Sequence, residues 1–165
     1  MSCTGLTELV IPNSVTEINS GAFSGCNNIE RLVLSSSLRE LSSGNWNNNK
    51  NLKEVIIPEG LEIIYGGTFN GCTGLTEIIL PSTITNIETD AFYGCTGIER
   101  LVLSPLMKTI KTSNWNYNPN LKEVVIPEGV ESIDSMAFAE CTGLTEIVLP
   151  STITFLSDNV FDSCT

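Results

Sequence analysis

"LTELVIPNSVTEINSGAFSGCNN", residues 6–28, is followed by six variants of itself. In order they are IERLVLSSSLRELSSGNWNNNKN (29–51), LKEVIIPEGLEIIYGGTFNGCTG (52–74), LTEIILPSTITNIETDAFYGCTG (75–97), IERLVLSPLMKTIKTSNWNYNPN (98–120), LKEVVIPEGVESIDSMAFAECTG (121–143) and LTEIVLPSTITFLSDNVFDSCT (144–165). Seven units of 23 residues fit without insertion, the last one residue short. A period of this kind takes precedence over local patterns, because a unit too small to bury its own apolar face folds only against its neighbours. The openings LTE, IER and LKE recur in that order, so three units form a 69-residue super-repeat.

Within a unit the apolar residues keep fixed columns: Leu6, Leu9, Ile11, Val15, Ile18, Ala22, Phe23 and Cys26 in the first. No spacing of 3.6 is sustained, which argues against long helices. The alternation in "ELVIP" predicts a short strand closed at Pro12, Pro58, Pro81, Pro127 or Pro150, with Ser35 and Ser104-Pro105 making the same turn in the remaining units. A second extended piece such as "VTEI" follows, then a tight helical or 3-10 turn over "GAFSGC". Stacked in parallel at about 4.8 Å, the strands place Leu9, Leu32, Val55, Ile78, Leu101, Val124 and Ile147 in one inward ladder. The expected fold is a mostly β solenoid occupying residues 1–165 as one domain, read as a segment of a longer array.

Composition limits the function. With 41% hydrophobic residues the chain can bury a continuous core, and 19 acidic against 8 basic residues give a net charge of -11. That charge repels nucleic-acid phosphates and anionic lipid, and no apolar run approaches the ~18 residues of a membrane span. Neither nucleic-acid binding nor membrane insertion is expected. The amino terminus "MSCTGLTELV" lacks the basic and apolar segments of a signal peptide. Histidine is absent, there is no phosphate-binding glycine loop and no nucleophile elbow, and candidate carboxylates recur by repeat arithmetic. The chain reads as a non-enzyme without a cofactor or metal.

The same columns give the candidate sites. Trp46 and Trp115 stand where other units carry Phe, and Asn49 and Asn118 stand where they carry Cys26, Cys72, Cys95, Cys141 and Cys164. Alignment with Phe favours buried indoles in a structural ladder, with the Asn amides bonded to loop groups of adjacent coils. Indoles flanked by amides also suit a glycan, the less favoured reading. Cys3–Cys26, Cys72–Cys95 and Cys141–Cys164 are neighbouring-coil pairs, open to disulfides. Residues stacked one above another lack the convergent Cβ vectors a disulfide wants, which favours buried free thiols.

On the outward side, Glu8, Arg31, Glu54, Glu77, Arg100, Glu123 and Glu146 share a column beside Thr7, Glu30, Lys53, Thr76, Glu99, Lys122 and Thr145. Their order is expected to pair opposite charges on neighbouring strands. Next to them Val10, Val33, Ile56, Ile79, Val102, Val125 and Val148 form an aliphatic stripe, the candidate surface for a protein partner.

A Leu-led strand, an Ile/Leu-Pro turn, Val/Ile-x-x-Ile/Leu and then Ala-Phe-x-x-Cys resemble the BspA-type leucine-rich repeat over residues 6–165. The resemblance implies a right-handed solenoid and a surface or secreted protein with adhesion and host-protein binding as typical roles. Units carrying "NW" and Asn in place of "AF" and Cys depart from that pattern. Two alternatives stand beside the binding module. One is an assembly unit stacking end to end through its open coils, since "SCTG" (2–5) matches the closing "SCT" (163–165); the other is an engineered consensus array.

Overall fold

The computed structural model describes residues 5–164, and each of its coils follows from the columns above. In six of the seven units the first alternating segment is a three-residue strand: β1 (Glu8–Val10), β2 (Arg31–Val33), β4 (Glu54–Ile56), β6 (Glu77–Ile79), β8 (Arg100–Val102) and β10 (Glu123–Val125). The second extended piece gives two-residue strands: β3 (Glu40–Leu41), β5 (Ile63–Ile64), β7 (Asn86–Ile87), β9 (Thr109–Ile110), β11 (Ser132–Ile133) and β12 (Phe155–Leu156). Every pairing is parallel and every register step is 23 residues, as in Leu9↔Leu32↔Val55 and Ile78↔Leu101↔Val124.

Neither ladder is continuous. The long one forms the triplets β1-β2-β4 and β6-β8-β10, and the short one forms β3-β5-β7 and β9-β11-β12. The breaks are staggered: coils three and four lack the long ladder but share β5-β7, whereas coils four and five lack the short ladder but share β6-β8. Each junction therefore keeps at least one ladder.

The middle residue of each long strand turns inward, fully buried at Leu32, Ile78 and Leu101 and partly buried at Leu9, Val55 and Val124, and the first three meet Leu41, Ile64, Ile87 and Ile110 inside. Phe23, Trp46, Phe69, Phe92 and Trp115 stack at centroid separations of 4.6–5.6 Å, and Phe138 stacks on Phe161 at 5.8 Å. Parallel, offset rings at this spacing add about 0.5–1.5 kcal/mol per pair beyond area burial. In the coils without the closing proline, a buried serine substitutes: Ser35 Oγ donates to Val15 O at 2.7 Å and Ser104 Oγ to Ile84 O at 2.6 Å.

The expected helical turn over "GAFSGC" is absent, and no helix occurs among the described residues. The reason is conformational. Two positions per coil sit in the left-handed region: one is Gly21, Gly44, Gly67, Asp90, Ser113, Met136 and Asn159, and the other is Gly25, Asn48, Gly71, Gly94, Tyr117, Glu140 and Ser163, all with φ between 55° and 83°. Each ends a right-handed turn after one bond, such as Ser24 N–H to Gly21 O (3.0 Å) and Cys26 N–H to Phe23 O (3.0 Å). The segment becomes a string of single turns.

Candidate functional site

Strand alternation turns the first and third residues of each long strand outward. The third positions carry the aliphatic stripe: Val10 is 58% exposed, Ile79 55% and Val148 71%, with Ile56 and Val125 also exposed. Val33 and Val102 are half-buried. The structure thus brings all seven stripe residues onto one face.

The first positions carry the charges. Arg31 donates to Glu8 at 2.5 Å and to Glu54 at 2.7 Å; Arg100 donates to Glu77 at 2.6 Å and approaches Glu123 at 3.2 Å. These carboxylates, Glu8 ahead of Glu54 and Glu77 ahead of Glu123, push both guanidiniums above their ordinary pKa. Alongside run Lys53–Glu30 (2.7 Å) and Lys122–Glu99 (2.9 Å). Opposite-charge pairing holds within each three-coil block and fails between blocks. There Glu54 would lie opposite Glu77, and Glu123 opposite Glu146.

Those are the places where the long ladder opens. Within blocks, Ile11 N–H donates to Val33 O (2.9 Å), Leu34 to Ile56 O (3.2 Å), Leu80 to Val102 O (3.0 Å) and Leu103 to Val125 O (3.0 Å). Ile57 has no such bond to Ile79 O, Ile126 has none to Val148 O, and residues 146–148 form no strand. Like charges directly opposite each other on adjacent strands are destabilising, which accounts for the separation. Each break leaves a cavity on the outward face. One of about 520 Å³ lies between β4 and β6, lined by Glu54, Ile56, Glu77 and Ile79 among others. The other, of about 460 Å³, lies between β10 and Val148. Sequence reasoning missed both, although two glutamates in succession down the charged column, at 54 and 77, were the available signal.

The interior candidates lie far from this face in chemistry. Trp46 is 1% exposed and Trp115 0%, both inside the ring stack, so no indole face is open to a pyranose. Cys72, Cys95, Cys141 and Cys164 are free thiols donating to Trp46 O, Phe69 O, Trp115 O and Phe138 O at 3.1–3.2 Å. Asn118 uses the same arrangement, its Nδ2 reaching Phe92 O at 3.3 Å and Trp115 O at 2.7 Å, while Asn49 Nδ2 donates to Ile29 O at 3.1 Å. In coils three to seven this column supplies an inward donor to a carbonyl of the aromatic turn in the preceding coil, while Asn49 turns to Ile29 O instead. Desolvation pushes the Cys95 and Cys141 thiols up to about 12, and Cys72 higher. Cys26 is buried, and the pairing considered for it with Cys3 lies outside the described residues. Among the described residues no group of three or more His, Cys, Asp or Glu side chains is placed to hold a metal ion, and no helix is long and apolar enough to cross a membrane.

Comparison with solved structures places this architecture among bacterial repeat proteins. A Leucine Rich Repeat protein of T. pallidum is 27% identical and superposes with a TM-score of 0.86 over 92% of this chain and 73% of that one. A leucine-rich repeat protein from Bacteroides ovatus is 26% identical with a TM-score of 0.68, covering 87% of this chain and 43% of the other. A leucine rich cell surface protein from Faecalibacterium prausnitzii, 24% identical with a TM-score of 0.81 over 91% of this chain and 41% of that one, shares the fold. The chain therefore spans less than half the length of the latter two. No curated protein matches it. The sequence profile of the BspA type leucine rich repeat region, in six copies, matches residues 1–116 and 41–165, and the chain belongs to that family.

Proposed function

We propose that this chain is a non-enzymatic protein-binding module of a surface or secreted leucine-rich-repeat protein, and that it engages its partner through the outward sheet face. The observation that carries this reading is the aliphatic stripe from Val10 to Val148, which crosses all seven coils and stays open to solvent at Val10, Ile56, Ile79, Val125 and Val148. Contiguous apolar surface of this kind on a water-exposed sheet marks contact sites. Leucine-rich repeats are generally non-enzymatic, in keeping with an absence of histidine. The test uses the partner recovered with the full-length parent. Ile56→Thr, Ile79→Thr and Val102→Thr together keep β-branching, so folding should persist while affinity for that partner falls. Unchanged affinity would move the site to the loops or coil ends.

A second reading rests on the end coils. Leu9, Val15 and Phe23 at one end and Ile147 and Phe161 at the other are only partly buried, each set lining a shallow cavity. Such faces suit further coils or a second copy stacked end to end. Light scattering against concentration separates the two readings, since end-to-end stacking raises the mean mass and a monomeric module does not.

A further inference from the structure

We propose that each break in the long ladder is a slot for one lysine or arginine side chain of the partner protein, an inference that rests on the sheet face being the binding surface. The gap between β4 and β6 is bounded. On one side the chain entering β6 touches the chain entering β4 at Gly74, where a Cβ would lie 2.7 Å from both Leu52 O and Lys50 O. On the other the Glu59 carboxylate accepts from Ser82 N–H (3.2 Å) and Oγ (3.0 Å), and Gly60 N–H donates to Thr83 Oγ1 at 2.9 Å. Only the strand region parts, so the cavity of about 520 Å³ is a local opening of the size that ligand pockets take, about 300–1,000 Å³.

Its chemistry selects the occupant. Ile56 and Ile79 flank the opening and suit the aliphatic stem of a long side chain. Glu54 uses one oxygen on Arg31 and Glu77 one on Arg100, leaving each a second oxygen. The carbonyl of Ile79 lacks the donor that its equivalents Val33, Ile56, Val102 and Val125 receive. Acceptors therefore collect at one place beside apolar walls, which suits a cationic head rich in donors and opposes a carboxylate. The charged column as a whole carries five carboxylates against two guanidiniums, so the face attracts basic partners.

The super-repeat adds a spacing rule. The second slot lies three coils away, about 14 Å at the usual strand separation. An extended chain advances about 3.4 Å per residue and returns to the same face at even intervals. Basic residues four positions apart then reach both slots, while residues three apart point to opposite faces.

The test is an amide NMR titration of the labelled chain with two heptapeptides of Thr and Val carrying two arginines, four apart in one and three apart in the other, and a third peptide with glutamates four apart. Saturable shifts are expected at the amides of Ile57, Thr76, Ile126 and Thr145, with the four-apart arginine peptide about tenfold tighter than the three-apart one through simultaneous engagement. Glu77→Gln, an exposed change whose folding a CD melt checks, should bring the two arginine peptides to equal affinity. Equal binding of both arginine peptides by the unaltered chain, or binding of the glutamate peptide, overturns the slots. Shifts along Val10, Val33 and Val102 that ignore charge overturn the slots and leave the sheet face standing. Shifts confined to loops, or none, overturn both.

Discussion

Trp46 shows how one side chain serves the repeat at a cost. Its indole fills the place that Phe takes in five coils, stacked between Phe23 and Phe69, yet its Nε1–H is buried without a partner, as is that of Trp115. An unmet buried donor costs about 1–3 kcal/mol, so Trp46→Phe should come close to neutral by deleting that donor as it loses area. Trp46→Ala should cost about 3–5 kcal/mol through the cavity it leaves. Urea unfolding of the two variants measures the difference. Gly67 isolates the backbone effect: its φ is 67° and a Cβ would meet nothing within 4 Å, so Gly67→Ala should lose about 1 kcal/mol from strain alone. The thiols give a pH dependence. Folding raises Cys95 and Cys141 from 9.0 to about 12, so their contribution is complete below pH 9 and is lost as pH rises toward 12, by about 1.4 kcal/mol per pH unit for each thiol. The urea midpoint should fall between pH 8 and 10.5, less steeply in a Cys95→Ala, Cys141→Ala variant. Burial of the Trp and Cys columns was legible because sister units named their environment. The left-handed turns were not, since Asp90, Ser113 and Met136 stand where only the earlier coils show Gly21, Gly44 and Gly67.

At the scale of the strand, register was legible and continuity was not. A period of 23 without insertion leaves one possible register, and Leu9↔Leu32↔Val55 follows by arithmetic. Whether two such strands then bond depends on a small balance of cross-strand terms, each about 0.2–1 kcal/mol. Arg31 between Glu8 and Glu54 tips that balance toward pairing; Glu54 facing Glu77 tips it away. Replacing both Glu54 and Glu77 by Thr removes the repulsion and supplies β-branched residues. The β4–β6 gap should then close, seen as slower exchange of the Ile57 amide, while the break between Glu123 and Glu146 stays open in the same molecule as an internal control. Equal exchange before and after substitution would remove the electrostatic explanation.

Across the whole molecule the two ladders alternate in holding the stack. Coils three and four are joined by β5 and β7 where β4 and β6 part, and coils four and five by β6 and β8 where β7 and β9 do not pair. Nearest-neighbour coupling is the rule in repeat folds, and here its strength cycles with the 69-residue period. The fold class was readable from the columns; this cycle was not, because it arises from the order of LTE, IER and LKE units acting together. The most direct measurement is residue-resolved amide hydrogen exchange under native conditions. Leu34, Leu80 and Leu103, bonded across their junctions, should be protected, while the equivalent Ile57 and Ile126 exchange at least tenfold faster despite lying amid the same coils. Uniform protection across all five amides would mean a continuous ladder, and would contradict both the periodic opening and the slots built on it.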